Sequence, residues 1–347
     1  MQKASSASQT PHLSPAELSY LYTSLALPGA PIRPDGRSPT QFRPLCAETG
    51  ILPGTNGSAR IGFADGTQAI VGVKAEVERT DSGELSGSSS WVQISVEIPG
   101  FRDDDALPVF LSEMMREALG GVDSDTETDT GSETGLKGRL VINRRWHWRL
   151  YIDVLLLSQP LSYPLPLLSL TTHLALLSTK LPKLKSQGEE DPFFDDDWEV
   201  AQNLYPRHST TVAPPITLLV VSVGENIIFD PNREEIAVAD AVMAVSVTRS
   251  EKNSSAKSNA EEGNLALKPN PKLKLLSIRT IDPPSRLTQP GVPDAENATT
   301  GDEEVAGVWR PRRGGVKRAV VANMVQLVLG EVGEEVLQGL EGFSVHT

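Results

Sequence analysis

Cysteine is all but missing: Cys46 is the only one in 347 residues. That excludes an intrachain disulfide framework and a cysteine-based zinc site, and it suits a reducing compartment. Histidine is nearly as scarce. His12, His147, His173, His208 and His346 are scattered, and no two stand at metal-ligand spacing. His147, set between Trp146 and Trp148, reads as a hydrogen-bonded structural residue. The P-loop, GxGxxG, GxSxG and HExxH patterns are absent as well, so the common motif-borne chemistries do not apply. No metal and no cofactor are expected.

Positive charge is also short, with 32 basic side chains against 45 acidic ones and a net charge of −13. A free-standing nucleic-acid binder carries a basic face. Any RNA contact by this chain must therefore be local and shared with other chains. The acidic excess gathers at 123–133 and 189–197, which read as solvated loops. Asp103-Asp104-Asp105 and Asp195-Asp196-Asp197 have the chemistry to hold magnesium, yet such runs read as solvated loop faces. One uncharged run, 154–179, is long enough to span a bilayer, but Pro160, Pro164 and Pro166 interrupt it. A buried strand, a turn and a buried helix account for it, and no membrane partner is expected. Residues 1–11 lack the apolar core of a signal peptide.

What is present is a strand-rich pattern. Ser14-Pro15-Ala16-Glu17 is a capping box with proline at the first helical position, followed by Leu18, Leu21, Tyr22 and Leu25 on one face. Strands are predicted at 42–49, 58–63, 68–77, 91–98, 140–142 and 146–157, with an Asp65-Gly66 hairpin turn between the second and third. Helices are predicted at 108–119 and 165–179. The last third offers strands at 216–223, 226–229, 237–248 and 273–281. A helix over 316–340 follows, carrying Val321, Val325, Val328 and Val332 and weakened by Gly330 and Gly333. Strands then helix, twice over, predict two stacked α+β halves rather than a parallel βαβ sheet.

Polar tracts divide the chain. Residues 1–30 form an N-terminal helix and extension, 31–182 a first domain with an acidic insertion at 120–138, and 183–215 an irregular insertion. Residues 216–347 form a second domain with insertions at 250–271 and 282–306. The tracts at 120–138 and 250–271 bury too little apolar surface to order themselves. One carboxylate group stands out. Asp230, Glu234 and Glu235 follow a strand at a turn and read either as a chemical site or as a polar hairpin tip.

Arg33-Pro34-Asp35-Gly36-Arg37 resembles the Arg-x-Asp-Gly-Arg turn that opens members of the RNase PH superfamily. Asn56-Gly57-Ser58-Ala59-Arg60 is similar to the family's strand entry, and Val71-Gly72-Val73-Lys74-Ala75-Glu76-Val77 to its second hairpin. The Lys-Ala-Glu wording and residues 147–157 resemble the non-catalytic ring subunits of the RNA exosome more than RNase PH itself. The resemblance implies an α+β RNase PH-like fold, a ribosomal protein S5 domain 2-like core followed by a C-terminal half. As partners it implies other RNase PH-like subunits in a heterohexameric ring, cap subunits and single-stranded RNA. It also implies 3′-end RNA processing in nucleus, nucleolus and cytoplasm.

The departures bear on catalysis. Active relatives follow the 151–157 strand with an Asp-Gly-Gly-Thr-type turn, where this chain has Ser158-Gln159-Pro160-Leu161-Ser162. They carry Asp-x-Asp and then a Glu-Asp pair, where this chain has Asp230-Pro231-Asn232-Arg233-Glu234-Glu235, one residue short. Phosphorolysis needs an acid at the leaving 3′ oxygen and donors around a phosphate, and small misplacements are costly. The resemblance thus implies a degenerate site at Asp230, Glu234 and Glu235, with no catalytic residue. An expected Arg-Gly-Gly segment is here Phe101-Arg102-Asp103-Asp104-Asp105. Candidate RNA contacts in the matching core are Arg60, Lys74, Arg102, Arg116, Arg144 and Arg145. Three readings stay open: a structural ring subunit, a phosphate-dependent 3′ exoribonuclease using Asp230 and Glu235, and a scaffold with no RNA role.

Overall fold

The hairpin at Asp65-Gly66 sets the first sheet. Asp65 accepts a hydrogen bond from the Thr67 amide at 2.8 Å, and Gly66 takes a positive φ of 88° that glycine adopts without a Cβ clash. The strands on either side, β2 (Gly57–Phe63) and β3 (Gln68–Arg79), pair antiparallel with Ile61 opposite Ala69 and Ala59 opposite Val71. Alternation then buries Ala59, Ile61 and Phe63 with Ala69, Val71 and Val73, and leaves Lys74, Glu76 and Glu78 in solvent. The computed structural model describes residues 13–80, 89–120, 136–206, 212–249, 273–281 and 316–343. The insertions expected at 250–271 and 282–306, and nearly all of 120–138, lie outside the described residues.

The chain begins with α1 (Pro15–Leu25), where the Ser14–Glu17 capping box forms as its residues dictate. Strand β1 (Leu45–Thr49) joins β2 at one edge. At the other side of β3 lies β5 (Trp146–Leu156), and outside it β4 (Val92–Glu97), giving the order β1-β2-β3-β5-β4. Strands β4 and β5 run parallel, joined through α2 (Ala106–Gly120) and the single turn α3 (Leu136–Arg139). The sequence predicts no parallel pairing, so this βαβ unit is a correction; a parallel partner needs a crossover, and α2 supplies it. The strand predicted at 140–142 is likewise reduced to an isolated bridge between Val141 and His147.

Helix α4 (Leu165–Ser178) carries the uncharged run, and every residue from Leu165 to Leu177 is buried. It packs against β2, β3 and β8 (Ile216–Val223), so it is the shared core of the two sheets. Its closeness to β2 explains Gly57: a Cβ there would sit 2.3 Å from Thr179 Oγ1. Thr171 and Thr172 satisfy their buried hydroxyls on the carbonyls of Leu167 and Leu168. Two short strands, β6 (Lys180–Leu181) and β7 (Gln202–Asn203), pair across the segment that leads to the second half.

The second sheet has the order β11-β10-β8-β9, with β9 spanning Asn226–Phe229, β10 Ala241–Arg249 and β11 Leu273–Ile281. The sequence predicts strand at 237–240. Instead α5 (Arg233–Ala237) forms, because Asn232 and Glu235 make a capping box between β9 and β10. The C-terminal helix is also not continuous. It runs as α6 (Arg318–Leu327) and α7 (Gly333–Phe343), separated at Gly330 by non-helical φ/ψ of −82° and −132°. Met324, Val328, Val332, Leu337 and Leu340 are its buried apolar side chains. Among the described residues no helix is long and apolar enough to cross a membrane.

Candidate functional site

The turn at Arg33–Arg37 and the turn after β9 meet in a buried network of ions. Arg33 and Glu235 pair through two nitrogens, Nε to Oε1 at 2.7 Å and Nη2 to Oε2 at 2.8 Å, and both side chains are fully buried. The remaining Arg33 donors go to the carbonyls of Ser38, Gln41, Phe229 and Asp230. Glu235 also accepts from the Asn232 amide at 2.8 Å. A buried ion pair is tolerated only when the spare donors and acceptors are satisfied in this way.

Asp230 is the centre of the second set. It is buried, and it is the only non-glycine residue with positive φ among those described, at 47°. Its Oδ2 accepts from Arg37 Nη1 and from the Arg43 amide, each at 2.8 Å, and its Oδ1 accepts from Arg43 Nη2 at 2.7 Å. Arg43 continues to Asp65 at 2.6 Å and to the Ser162 hydroxyl at 3.0 Å, and its guanidinium lies 4.4 Å from the centre of the Phe63 ring. Arg37 binds Asp35 through Nε at 2.7 Å. Burial alone would push Asp35 and Asp65 up, but hydrogen bonds outweigh it. Asp35 is held below its usual range by Arg37 and the Arg33 charge, Asp65 by Thr67 and Arg43.

Beside Asp230 opens a pocket of about 370 Å³ lined by Asp35, Arg43, Asp65, Ser162, Asn232 and Glu234, among others. The Glu234 carboxylate has no hydrogen-bond or ion-pair partner among the described residues. Arg33, Arg37 and Arg43 are all spent on carboxylates and carbonyls, so none of the three keeps a fork free for a phosphate. Asp230 and Glu235 are equally committed as acceptors. Among the described residues no three His, Cys, Asp or Glu side chains converge as a metal site.

Asp230, Glu234 and Glu235 thus come together, at the end of a strand and the start of a helix rather than at a hairpin tip. The candidate RNA contacts do not. Arg60 and Lys74 share the solvent face of the first sheet, with Arg60 on Gln68 at 2.6 Å. Arg102 lies in the turn before α2 and pairs with Asp104, and Arg116 lies on α2 and pairs with Glu113. Arg144 and Arg145 stand in the exposed turn before β5, Arg144 being 3.7 Å from Glu189. The sequence gives no sign of Arg43, presents Asp65 only as a hairpin-turn residue and Ser162 only within the departure at 158–162, and shows Arg33 and Arg37 without a role. The doubled arginine around Asp-Gly is the one signal; its carboxylate partners lie 193 and 202 residues on and cannot be read from spacing.

Two buried histidines have other duties. His147 meets Thr80 at 2.9 Å and stacks on Trp91 with ring centroids 4.0 Å apart, as a structural residue would. His173, within α4, meets the Pro214 carbonyl at 2.8 Å. Burial, with the Arg249 charge adding to it, holds that imidazole at about 4.

Residues 41–182 match the family model described as 3′ exoribonuclease family, domain 1. The chain is 35% identical over 243 residues to the exosome complex component RRP42 of Saccharomyces cerevisiae, covering 67% of this chain and 81% of that protein. With the rrp42 component of Schizosaccharomyces pombe it shares 34% identity over 254 residues, covering 69% and 79%. In fold it is similar to an archaeal exosome core, with a TM-score of 0.54 at 15% identity over 94% of this chain and 96% of that one. A chain of an Archaeoglobus fulgidus exosome with RNA bound to the active site gives a TM-score of 0.55 at 16% identity, covering 92% and 96%.

Proposed function

The chain belongs to the RNase PH family of 3′ exoribonuclease domains, and on that premise we propose that it is a non-catalytic ring subunit of an RNA exosome. Its partners are other RNase PH-like subunits in a heterohexameric ring, cap subunits above it, and single-stranded RNA passing through. Its work is to complete the ring and support 3′-to-5′ RNA processing and degradation in nucleus, nucleolus and cytoplasm. Residues 31–182 and 216–347 act as the two RNase PH-like domains of that subunit.

One observation carries the non-catalytic reading. The arginines and carboxylates at the degenerate site neutralise one another: Arg37 and Arg43 occupy both oxygens of Asp230, and Arg33 occupies both oxygens of Glu235. Phosphorolysis needs an acid free to reach the leaving oxygen and cations free to hold phosphate. Here Asp230 and Glu235 are both occupied and Arg33, Arg37 and Arg43 are all engaged, so the only free acid, Glu234, has none of these three cations free beside it to hold phosphate. Arg60, Lys74, Arg102, Arg116, Arg144 and Arg145 remain as contacts to RNA phosphates, each local, which fits a chain of net charge −13.

The test is to purify the chain with its ring partners and measure phosphate-dependent release of nucleoside diphosphates from a single-stranded oligonucleotide. No release should depend on this subunit. Activity that vanished in both Asp230→Asn and Asp230→Ala would establish the alternative, a phosphate-dependent 3′ exoribonuclease.

A further inference from the structure

Glu234 faces more than one space. It also lines a second pocket, of about 450 Å³, whose walls are apolar: Leu13, Ala16, Tyr20, Leu21 and Pro34, together with Glu17. Tyr20 is 71% exposed, although it stands on an ordered helix. The Glu17 carboxylate is already engaged by the Ser14 amide and hydroxyl. The partnerless Glu234 carboxylate therefore stands where an apolar pocket meets the polar one beside Asp230.

We propose that this double pocket is a docking site for a basic side chain, arginine above all, carried by a protein partner. An arginine has an apolar stem and a planar cationic end, and the site offers both surfaces. Tyr20, Leu21 and Pro34 receive the stem, the exposed ring of Tyr20 faces the cation, and Glu234 supplies the free carboxylate. Charge sets the direction. Counted with the network behind them, the two pockets hold six carboxylates, Glu17, Asp35, Asp65, Asp230, Glu234 and Glu235, against four guanidiniums, Arg33, Arg37, Arg43 and Arg233, and Asp35, Asp65, Asp230 and Glu235 are already paired. An RNA phosphate would meet net repulsion here. The inference rests on reading the Asp230 region as a contact surface instead of a catalytic one.

Fluorescence anisotropy with the full chain tests it, using a labelled nonapeptide of alternating arginine and leucine. The same peptide with citrulline for arginine and a labelled decauridylate serve as counter-probes. The arginine peptide should bind, and Glu234→Gln and Tyr20→Ala should each weaken it by about tenfold or more. Among the described residues neither side chain has a hydrogen-bond or ion-pair partner, so both variants should melt as the parent does. The citrulline peptide should fail to bind. Asp103→Asn with Asp104→Asn, which removes two charges from a separate exposed turn, should leave binding unchanged. The proposal is overturned if that control weakens binding as much as Glu234→Gln, which would mean diffuse attraction to an acidic surface. It is equally overturned if decauridylate binds and Glu234→Gln abolishes that binding. Phosphorolysis by the assembled ring that was lost in both Asp230→Asn and Asp230→Ala would sink the non-catalytic reading alone, provided the peptide still bound through Glu234.

Discussion

Arginine–carboxylate pairs occur in two settings in this chain, and the same chemistry has different consequences in each. At the Asp230 turn Arg33, Arg37 and Arg43 reach across more than 180 residues of sequence to fully or nearly buried carboxylates. On the surface Arg116 pairs with Glu113 one helical turn away, and Arg102 with Asp104 in its own loop. Solvent already satisfies the second set, so their pairing adds little. Water is excluded from the first set, so each ion depends on its partner, and the pairs tie the N-terminal turn to the second half of the chain. The lesson is that burial, not the count of ion pairs, decides which arginines are structural.

The largest effect should come from breaking the buried pair. Glu235→Ala leaves the Arg33 charge without its partner and should cost about 3–5 kcal/mol, read as a lowered urea midpoint. A loss below about 1 kcal/mol would erase the contrast between the two settings. The double change Arg33→Met with Glu235→Leu removes both charges and should cost less than the single one, which sharpens the claim that the orphaned charge is what destabilises.

Next comes pH. His173 binds its proton at about 4 in the fold against 6.5 ordinarily, so the unfolded chain takes up protons first as the solution is acidified. Stability should therefore fall by roughly 3 kcal/mol between about pH 6.5 and 4, and level off for this group below that. Asp35 and Asp65, held below 3.8, add their losses only at lower pH. His173→Gln should flatten the upper part of the curve; an unchanged slope would refute the assignment. The smallest effect closes the comparison: Arg116→Ala should change stability by no more than about 0.5 kcal/mol in the same urea titration.

Much of the architecture was legible because it is local. The alternation in β3, β4 and β5, the Asp65-Gly66 turn and the Ser14–Glu17 box depend on residues within a few positions of one another. The misses are of another kind. Residues 237–240 are apolar enough for a strand, but the Asn232–Glu235 capping box claims the preceding residues for a helix. In the sequence Gly330 is only a weakness in one long helix, whereas packing of Gly333 against Leu273 and the Val328 carbonyl accompanies a full break. The parallel β4–β5 pair depends on where α2 delivers the chain, which no alternation pattern encodes.

By itself the sequence determined the strand periods, the caps, the family resemblance and the loss of the acidic pattern near Asp230, since each is written in neighbouring residues. Only the tertiary structure decided that Arg33, Arg37 and Arg43 are consumed by Asp230 and Glu235, and that Glu234 is left over between two pockets. The reason is physical. A side chain's donors are counted by type in the sequence, but whether they remain free depends on which distant groups burial forces them to satisfy.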